Sequence, residues 1–461
     1  MKVLLISANA HRYPYPVYPL GLDYVAGALR DKHTVLMSDV NLPGAMETIP
    51  ALLEGENPQV VGISIRNIDN TDTSDPQGFM GSYTRLVAMV RRHCRAPVVL
   101  GGAGFSIFPR EIMTLLDADF GIAGEGEGMA LLLDVLYSGD ARGPARDFSH
   151  VPGLFVRDRR VGAPLSHDGN SLLPTPFQRA FSKDYPHLDY YLRRGGMLNL
   201  QTKRGCPFHC VYRTYPHIEG RTMRLFDPFE VARTAVALQD GGARYLFVTD
   251  SAFNSDVGHS LAVARAFEKA GLSIPWGAYF TPAPMPEGYF GAMKQAGLSH
   301  VEFGTESLSG RVLKAYGKPF DPAQAMDCHR DAVAQGLHVA HFMLLGGPGE
   351  TGQTLDTTLE RLERLEKTVV FFYPGMRIYP HTPLFHLAVR EGQIPEAASL
   401  LEPVFYRSPS IDTAHILDRV QARAGGYPNW IIGTGGETTA RRLSTLYRRG
   451  FSGPLWEFLI R

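Results

Sequence analysis

The chain has 461 residues, of which 44% are hydrophobic and 20% are charged, and its 46 basic residues balance its 46 acidic residues. This length suggests two or three domains, and the zero formal charge provides no broad field to hold nucleic acid or an anionic membrane. No apolar run approaches the ~20 residues of a membrane span, and four cysteines are too few for a disulfide framework. We therefore expect a cytoplasmic protein.

The first third of the chain alternates strand-like and helix-like segments, and its first apolar run is better explained as a buried strand than as a signal peptide. The alternation predicts a doubly wound parallel sheet of the Rossmann-like type, with helices on both faces and ligands at the carboxyl ends of the strands. The predicted strands are residues 3–7, 33–37, 60–65, 97–101 and 120–123.

A second alternating series begins after a stretch rich in proline, aspartate and arginine. We assign residues 1–141 to the first domain, 142–195 to a linker containing a small hairpin, and 196–400 to a (β/α) partial TIM barrel. Residues 401–461 are predicted to form a small helical C-terminal region, so the whole chain is of the α/β class. The predicted barrel strands are residues 198–202, 245–249, 276–280, 300–303, 338–345 and 369–373.

The first barrel strand is followed by Lys203-Arg-Gly-Cys-Pro-Phe-His-Cys-Val-Tyr-Arg213. This loop resembles that of radical S-adenosylmethionine enzymes, which carry Cys-x3-Cys-x2-Cys at this place. In that family three thiolates hold three irons of a [4Fe–4S] cluster, and the fourth iron binds the amino and carboxylate groups of S-adenosylmethionine. Here Cys206 and Cys210 match, but the third position is Arg213, a permanent cation with no lone pair to donate.

Three interpretations of this loop remain open. The cluster is absent and only the fold is kept; or it forms with a substitute ligand such as His209, Tyr215 or His217; or it binds weakly through the two cysteines and a solvent or small-molecule ligand.

The resemblance extends over nearly the whole chain, to radical S-adenosylmethionine proteins that have an N-terminal cobalamin-binding domain. The order and spacing of six short runs carry it. These runs are Tyr18-Pro-Leu-Gly-Leu-Asp-Tyr-Val-Ala26, Gly101-Gly-Ala-Gly-Phe-Ser-Ile-Phe-Pro109, Gly124-Glu-Gly-Glu127, Phe247-Val-Thr-Asp-Ser-Ala-Phe253, Phe303-Gly-Thr-Glu-Ser307 and Gly346-Gly-Pro-Gly-Glu-Thr351.

The resemblance implies roles for the loops at the ends of the strands. Small residues in the N-terminal loops would let the backbone approach cobalamin, and the barrel loops would bind S-adenosylmethionine. The residues expected to contact cobalamin are Ser64, Asn67, Gly101, Gly102, Ala103, Ser106, Gly124, Glu125 and Glu127. Those expected to contact S-adenosylmethionine are Glu306, Gly346 and Gly347, with Asp250 and Arg377 as further contacts to adenosine or substrate.

We expect an enzyme that uses cobalamin and S-adenosylmethionine by cobalt-mediated polar chemistry. It would either transfer methyl groups or fragment S-adenosylmethionine to methylthioadenosine with cyclisation of the aminobutyrate part. The alternatives are a radical methyltransferase with an atypically ligated [4Fe–4S] cluster and a non-catalytic cobalamin-binding relative. The expected partners are a small-molecule substrate, or S-adenosylmethionine itself, and a reductase; no nucleic acid or membrane is expected.

Overall fold

A computed structural model describes residues 1–73, 75–137, 147–157, 159–162, 179–181, 185, 187–433 and 436–460. In these ranges the chain forms two seven-stranded sheets, one after the other along the sequence, and two small two-stranded sheets. No helix in the described ranges is long and apolar enough to cross a membrane.

The N-terminal sheet has the strand order β2-β1-β3-β4-β5-β6-β7, and its first five strands are parallel. Alternate residues of β1 serve opposite faces: Leu4 and Ile6 pack into one hydrophobic cluster, and Val3 and Leu5 into another. This period of two buries both faces under helices. Its elements are β1 Lys2–Ser7, α1 Leu20–Leu29, β2 Thr34–Asp39, α2 Ala45–Glu56, β3 Val60–Ser64, α3 Met80–His93, β4 Val98–Gly101, α4 Ala103–Ile107, α5 Pro109–Leu116, β5 Phe120–Ile122, α6 Met129–Tyr137, β6 Leu154–Val156 and β7 Arg159–Arg160.

The predicted hairpin is confirmed as β6 and β7, which pair antiparallel with each other. Strand β6 also pairs antiparallel with β5, so the hairpin extends the N-terminal sheet. The predicted linker therefore begins inside that sheet. Most of residues 163–186 lie outside the described residues.

The second sheet curves into a partial barrel with the order β18-β15-β14-β13-β12-β11-β8, all parallel. All six predicted barrel strands are present, with ends shifted by at most a few residues. The elements are α7 Leu188–Leu192, β8 Met197–Leu200, β9 Lys203–Arg204, α8 Tyr215–Ile218, β10 Arg224–Leu225, α9 Pro228–Asp240, β11 Tyr245–Val248, α10 Val257–Ala270, β12 Trp276–Phe280, α11 Tyr289–Gln295, β13 Leu298–Glu306, α12 Gly310–Tyr316, α13 Pro322–Ala334, β14 His338–Leu345, α14 Gly352–Leu362, β15 Thr368–Pro374, β16 Met376–Arg377, α15 Pro383–Arg390, β17 Phe405–Tyr406, α16 Thr413–Ala424, β18 Trp430–Ile432 and α17 Gly436–Arg448.

The C-terminal region was predicted to be helical, but it also supplies a strand and a buried tryptophan to the barrel. Strand β18 joins the sheet beside β15, which the sequence analysis missed because the strand has only three residues. Beyond α17 the chain returns to the barrel, where Trp456 packs with Ala340 and Val369 and its indole N–H donates to Glu302 over 3.0 Å. This segment therefore completes the barrel interior.

The two sheets share a hydrophobic core. One cluster contains Ile65 and Phe105 from the N-terminal domain together with Tyr316, Met376 and Ile378 from the barrel. A shared core of this kind fixes the two domains against each other, with the carboxyl ends of both sheets facing a common space.

Candidate functional site

A cavity of about 270 Å³ lies between the carboxyl edge of the N-terminal sheet and the barrel. The register of the sheet places Ser7, Ser64 and Gly101 side by side at that edge. The barrel closes the other side with residues that follow β8 and β11. The barrel residues that line the cavity are Asn199, Gln201, Arg204, Tyr215, Ile218, Glu219 and Thr249.

Most of the residues predicted to contact cobalamin line this cavity, and two do not. Those that do are Ser64, Gly101, Gly102, Ala103, Gly124, Glu125 and Glu127. Asn67 and Ser106 lie outside the lining. The hydroxyl of Ser106 donates to the carbonyl of Gly102 and accepts from the N–H of Gly124, both over 2.8 Å. Ser106 therefore joins the two glycine loops, and its predicted contact with the cofactor stays a prediction.

Packing within the protein accounts for the glycine at position 102. Its φ is +100°, and a Cβ there would lie 2.5 Å from the carbonyl oxygen of Ile65. A side chain at Gly102 is therefore excluded by the protein's own backbone. At Gly101 the nearest atom to a Cβ would be the carbonyl oxygen of Ile122, at 3.6 Å, which is ordinary contact.

Glu125 and Glu127 join the two domains. Nη2 of Arg204 donates to Glu127 over 2.6 Å, and Nη1 lies 3.3 Å from Glu125. Arg224 also pairs with Glu125. Burial opposes the charge of Arg204, but the two carboxylates outweigh it and raise its pKa. These glutamates line the cavity and at the same time fix the barrel loop to the N-terminal domain.

Part of the cavity lining has the chemistry expected for the cofactor that the N-terminal loops imply. Small residues and exposed backbone form its N-terminal wall, which suits the close approach of a large planar ring. Asn9 lines the same cavity, and its buried Nδ2 has no hydrogen-bond partner in the described part of the chain. An unpaired buried amide is costly, so this group is suited to donate to a bound cofactor.

Asp250 stabilises the start of the cysteine loop. Its carboxylate accepts from the N–H and the hydroxyl of Thr202, and from Nζ of Lys203 over 2.9 Å. The side chains of Lys203 and Asp250 are each only 1% exposed. Asp250 therefore holds the start of the loop in place, and its contact with adenosine or substrate stays a prediction.

The third position of the cysteine motif is filled by a guanidinium group. Nη1 of Arg213 donates to Sγ of Cys206 over 3.6 Å and to the carbonyl of Ser251 over 3.3 Å. Burial opposes its charge, but Tyr212, Cys210 and Cys206 raise its pKa further, so Arg213 stays a cation. Both cysteines are buried and free.

The proposed substitute ligands do not complete a cluster site. His209 is exposed and bonds to Nη1 of Arg221 over 2.9 Å, Tyr215 is 39% exposed, and His217 packs near His381. Across the described residues, no group of three or more His, Cys, Asp or Glu side chains could hold a metal ion. The residues present therefore do not fit a cluster held by three thiolates.

Glu306 lies at the end of β13 in a left-handed conformation, with φ of +64°. Its Oε1 accepts from the hydroxyl of Tyr212 over 2.7 Å and from Nζ of Lys318 over 3.1 Å. A bulky residue with positive φ is rare, and such strain is concentrated at functional sites. Buried partners therefore hold Glu306 in this conformation, and its contact with S-adenosylmethionine stays a prediction.

The loop after β14 packs tightly against Tyr316. The Tyr316 hydroxyl accepts from the N–H of Gly347 over 3.0 Å and donates to the carbonyl of Leu344 over 2.9 Å. A Cβ at Gly347 would lie 2.6 Å from the Tyr316 ring, and Gly346 has φ of +82°. Both glycines are required by this loop conformation.

Arg377 is bonded within the protein, and its predicted contact with adenosine or substrate stays a prediction. Its Nε donates to Asp69 over 2.9 Å, and its other nitrogens donate to the carbonyls of Ile378, Val404 and Leu400. The Arg377 and Asp69 side chains are 3% and 0% exposed. This buried pair links the loop after β3 to the barrel.

Two family models match the chain: the B12 binding domain over residues 6–133 and the radical SAM superfamily over residues 200–362. The chain belongs to the cobalamin-binding radical S-adenosylmethionine family. The predicted family and fold class are thereby confirmed, and so are cobalamin and S-adenosylmethionine as the cofactors of this family.

Relatives with names that describe methyl transfer cover most of the chain. The tryptophan 2-C-methyltransferase of Streptomyces laurentii is 26% identical over 82% of this chain and 73% of its own length. The cytidylyl-2-hydroxyethylphosphonate methyltransferase of Streptomyces wedmorensis is 25% identical over 77% of this chain and 75% of its own. These relatives indicate that the chain is an enzyme and support methyl transfer as its reaction class.

A solved structure shows the same fold. The methyltransferase TsrM from Kitasatospora setae, with cobalamin and a [4Fe–4S] cluster bound, aligns with a TM-score of 0.87 at 22% identity. The alignment covers 99% of this chain and 97% of that one. The two-domain architecture is therefore common to both proteins.

Several site residues were missed from the sequence. Asn9 and Lys318 lie outside the quoted motifs. Arg204 and Tyr212 lie in the cysteine-loop run but were given no role, because the roles of all four depend on contacts between distant segments. Asn9 and Arg204 each directly follow or end a strand, which is the one local signal that could have identified them.

Proposed function

We propose that this enzyme uses cobalamin and S-adenosylmethionine to transfer a methyl group to a small-molecule substrate by polar displacement. The observation that carries the proposal is the guanidinium of Arg213 beside Cys206, where a cluster-bearing protein needs a third thiolate. A fixed cation at this place disfavours cleavage of S-adenosylmethionine by an electron from a cluster.

The overall reaction balances without a net electron. S-adenosylmethionine gives up its methyl group, the sulfonium becomes a neutral thioether, and the substrate nucleophile loses a proton. Cobalamin, held by the glycine loops and Asn9, would supply the chemistry of a strong cobalt nucleophile for this methyl transfer. A reductase is needed only to bring the cobalt to that nucleophilic state.

The protein holds the reactants between its two domains. The glycine loops and Asn9 form the cofactor wall, and the Arg204 ion pairs fix this wall against the barrel. Because these groups lie around one cavity between the domains, a cofactor bound there would be held against the barrel that carries the other proposed binding residues.

Aromatic rings inside the barrel indicate the kind of substrate. The rings of Phe247 and Tyr279 lie 4.9 Å apart, Tyr279 and Phe342 lie 6.4 Å apart, and Phe342 stacks on Phe371 at 5.0 Å. Tyr279 is 42% exposed despite its position on a central strand. This surface favours a planar, mostly apolar substrate, and tryptophan, on which the Streptomyces laurentii relative acts, is the first to test.

The test is anaerobic purification followed by metal analysis and a product assay with S-adenosylmethionine, reductant and tryptophan. We expect stoichiometric cobalt, no iron, and S-adenosylhomocysteine with a methylated product. Release of 5′-deoxyadenosine would indicate the radical alternative, and methylthioadenosine would indicate fragmentation and cyclisation. Bound cofactors without any of these products would indicate a non-catalytic relative.

A matched pair of variants checks that the cavity is the cobalamin site. Ala103 is exposed and lines the cavity, so Ala103→Phe should fill it and abolish cobalt retention. Ala51, on the exposed face of α2, provides the control, and Ala51→Phe should retain cobalt as the unchanged protein does.

A further inference from the structure

Two opposite charges face each other across Gly304, beside the cysteine loop. A Cβ placed on Gly304 would lie 3.4 Å from Oε1 of Glu306 and 4.0 Å from Nη2 of Arg213. Since Gly304 has no side chain, the space between the carboxylate and the guanidinium is left open.

Each of these two groups keeps part of its bonding capacity. Arg213 uses Nη1 for Cys206 and Ser251, while its Nε and Nη2 donate to no atom of the described residues. Glu306 uses Oε1 for Tyr212 and Lys318, while Oε2 accepts no hydrogen bond in the same part of the structure. A guanidinium has five N–H donors in a planar fork, which matches a carboxylate.

The charges of this group do not cancel. Lys318 lies 3.1 Å from Glu306 and neutralises it, and both side chains are largely buried. Arg213 is left as the excess positive charge. A ligand that balances the site must bring an anionic group to Arg213, and it can bring a hydrogen-bond donor to Oε2 of Glu306.

We propose that Arg213 and Glu306 bind the carboxylate and the ammonium group of S-adenosylmethionine, in place of the iron that the cluster-bearing members of the family use. The inference rests on the proposed function, in which S-adenosylmethionine binds without a cluster. It also gives a reason for an arginine at this position. Most other residues in place of the third cysteine would remove an iron ligand without providing a group that binds S-adenosylmethionine.

The surroundings assign the site to S-adenosylmethionine rather than to an amino-acid substrate. The ring of Tyr212, which bonds to Glu306, packs edge-on against Tyr316 at 6.4 Å. Tyr316 in turn bonds to Gly347 in the loop that the family resemblance assigns to this ligand. The charged pair and the glycine loop therefore form one continuous surface.

The test measures binding to the cobalamin-loaded, iron-free protein by calorimetry, with three ligands. These are S-adenosylmethionine, its decarboxylated form, and methylthioadenosine, which lacks the amino-acid part. Arg213→Met should lower the affinity for S-adenosylmethionine by about 10- to 100-fold, the usual effect of losing a charged hydrogen bond. The affinity for the other two ligands should not change. Arg213→Lys should recover part of the loss.

A matched control lies in the same connection between β9 and β10, beyond helix α8. Arg221 is exposed and bonds to His209, so Arg221→Met should bind all three ligands as the unchanged protein does. Glu306→Gln keeps the shape of the side chain but removes its charge. It should lower the affinity for S-adenosylmethionine and for its decarboxylated form alike, because both carry the ammonium group. Methylthioadenosine should again be unaffected.

The inference is overturned if Arg213→Met binds S-adenosylmethionine as tightly as the unchanged protein, or if it loses all three ligands equally. The second result would mean that Arg213 only supports the loop. Failure of the proposed function is distinguishable, because it is seen in the product assay: selective binding without S-adenosylhomocysteine would reject the function and keep the site.

Discussion

Nη1 of Arg213 lies 3.6 Å from Sγ of Cys206. The guanidinium thus lies against a buried thiol in the loop where this family binds its cluster, and it cannot donate an electron pair to iron. The rest of the motif is present: Asp250 bonds to Lys203 at the start of the loop, and Cys210 is buried and free. One side chain therefore separates this site from a complete three-cysteine motif.

Restoring the missing thiol should restore iron binding. We expect Arg213→Cys to take up iron and sulfide on anaerobic reconstitution and to show a visible charge-transfer band, because three thiolates then converge. Arg213→Ser removes the same cation without adding a thiol and is the control. Equal iron in the two variants, or none in either, would show that the arginine is not what prevents the cluster.

The ion pairs of Arg204 should hold the two domains together. Arg204 is 6% exposed and bonds to Glu127, so Arg204→Met should lower the free energy of unfolding by about 3–5 kcal/mol, the cost of leaving a buried charge unpaired. Cobalt retention should fall as well. Arg193, whose pair with Asp189 is 78% and 72% exposed, is the control, and Arg193→Met should cost at most about 1 kcal/mol.

The same pair allows a second comparison by urea unfolding. In the double variant Arg204→Met with Glu127→Gln, neither charge is left alone, so part of the lost stability should return. If the double variant is as unstable as the sum of the single variants, the pair is not the source of the effect.

Asp250 should act through stability rather than through ligand binding. Asp250→Ala leaves the buried Nζ of Lys203 without its counter-ion, and we expect a loss of about 3–5 kcal/mol in urea unfolding. Asp227 is an exposed N-cap of α9, so Asp227→Ala should cost only about 1 kcal/mol. A selective loss of S-adenosylmethionine affinity with normal stability would instead favour a direct contact.

Glu302 should make stability depend on pH. Burial raises the pKa of Glu302 from 4.5 to about 7, with the bond from Trp456 acting in the opposite direction. The unfolded chain releases this proton near pH 4.5, but the folded chain keeps it until about pH 7. The free energy of unfolding therefore falls as pH rises between these values, by roughly 3 kcal/mol at about 1.4 kcal/mol per pKa unit.

In the variant Glu302→Gln the side chain cannot ionise, so the fall in the free energy of unfolding that Glu302 causes should be lost. Urea unfolding at pH 5 and pH 8 should show a smaller difference for Glu302→Gln than for the unchanged protein. Glu268 is exposed at the end of α10, and Glu268→Gln should keep the original difference. An unchanged difference in Glu302→Gln would mean that other groups cause the pH dependence.

Much of the architecture could be predicted from the sequence because its signals are local. Strands such as β1 and β14 bury both faces and read as short apolar runs bounded by polar or glycine residues. Strand β18 was missed because three residues are too few for such a signal, and only pairing with β15 defines it. The hairpin β6–β7 was found, but its position on the sheet edge was not.

The sequence by itself determined the two-domain architecture, the cofactor family and the replacement of the third cysteine by Arg213. The tertiary structure decided which charges meet. Arg377 and Asp250 proved to be committed to buried partners, whereas Glu306 and Arg213 came together across Gly304 with donors and an acceptor to spare. The reason is physical: spacing along the chain fixes which face of a strand a residue occupies, but the distance between side chains of different segments is set by how the sheet curves and the loops pack.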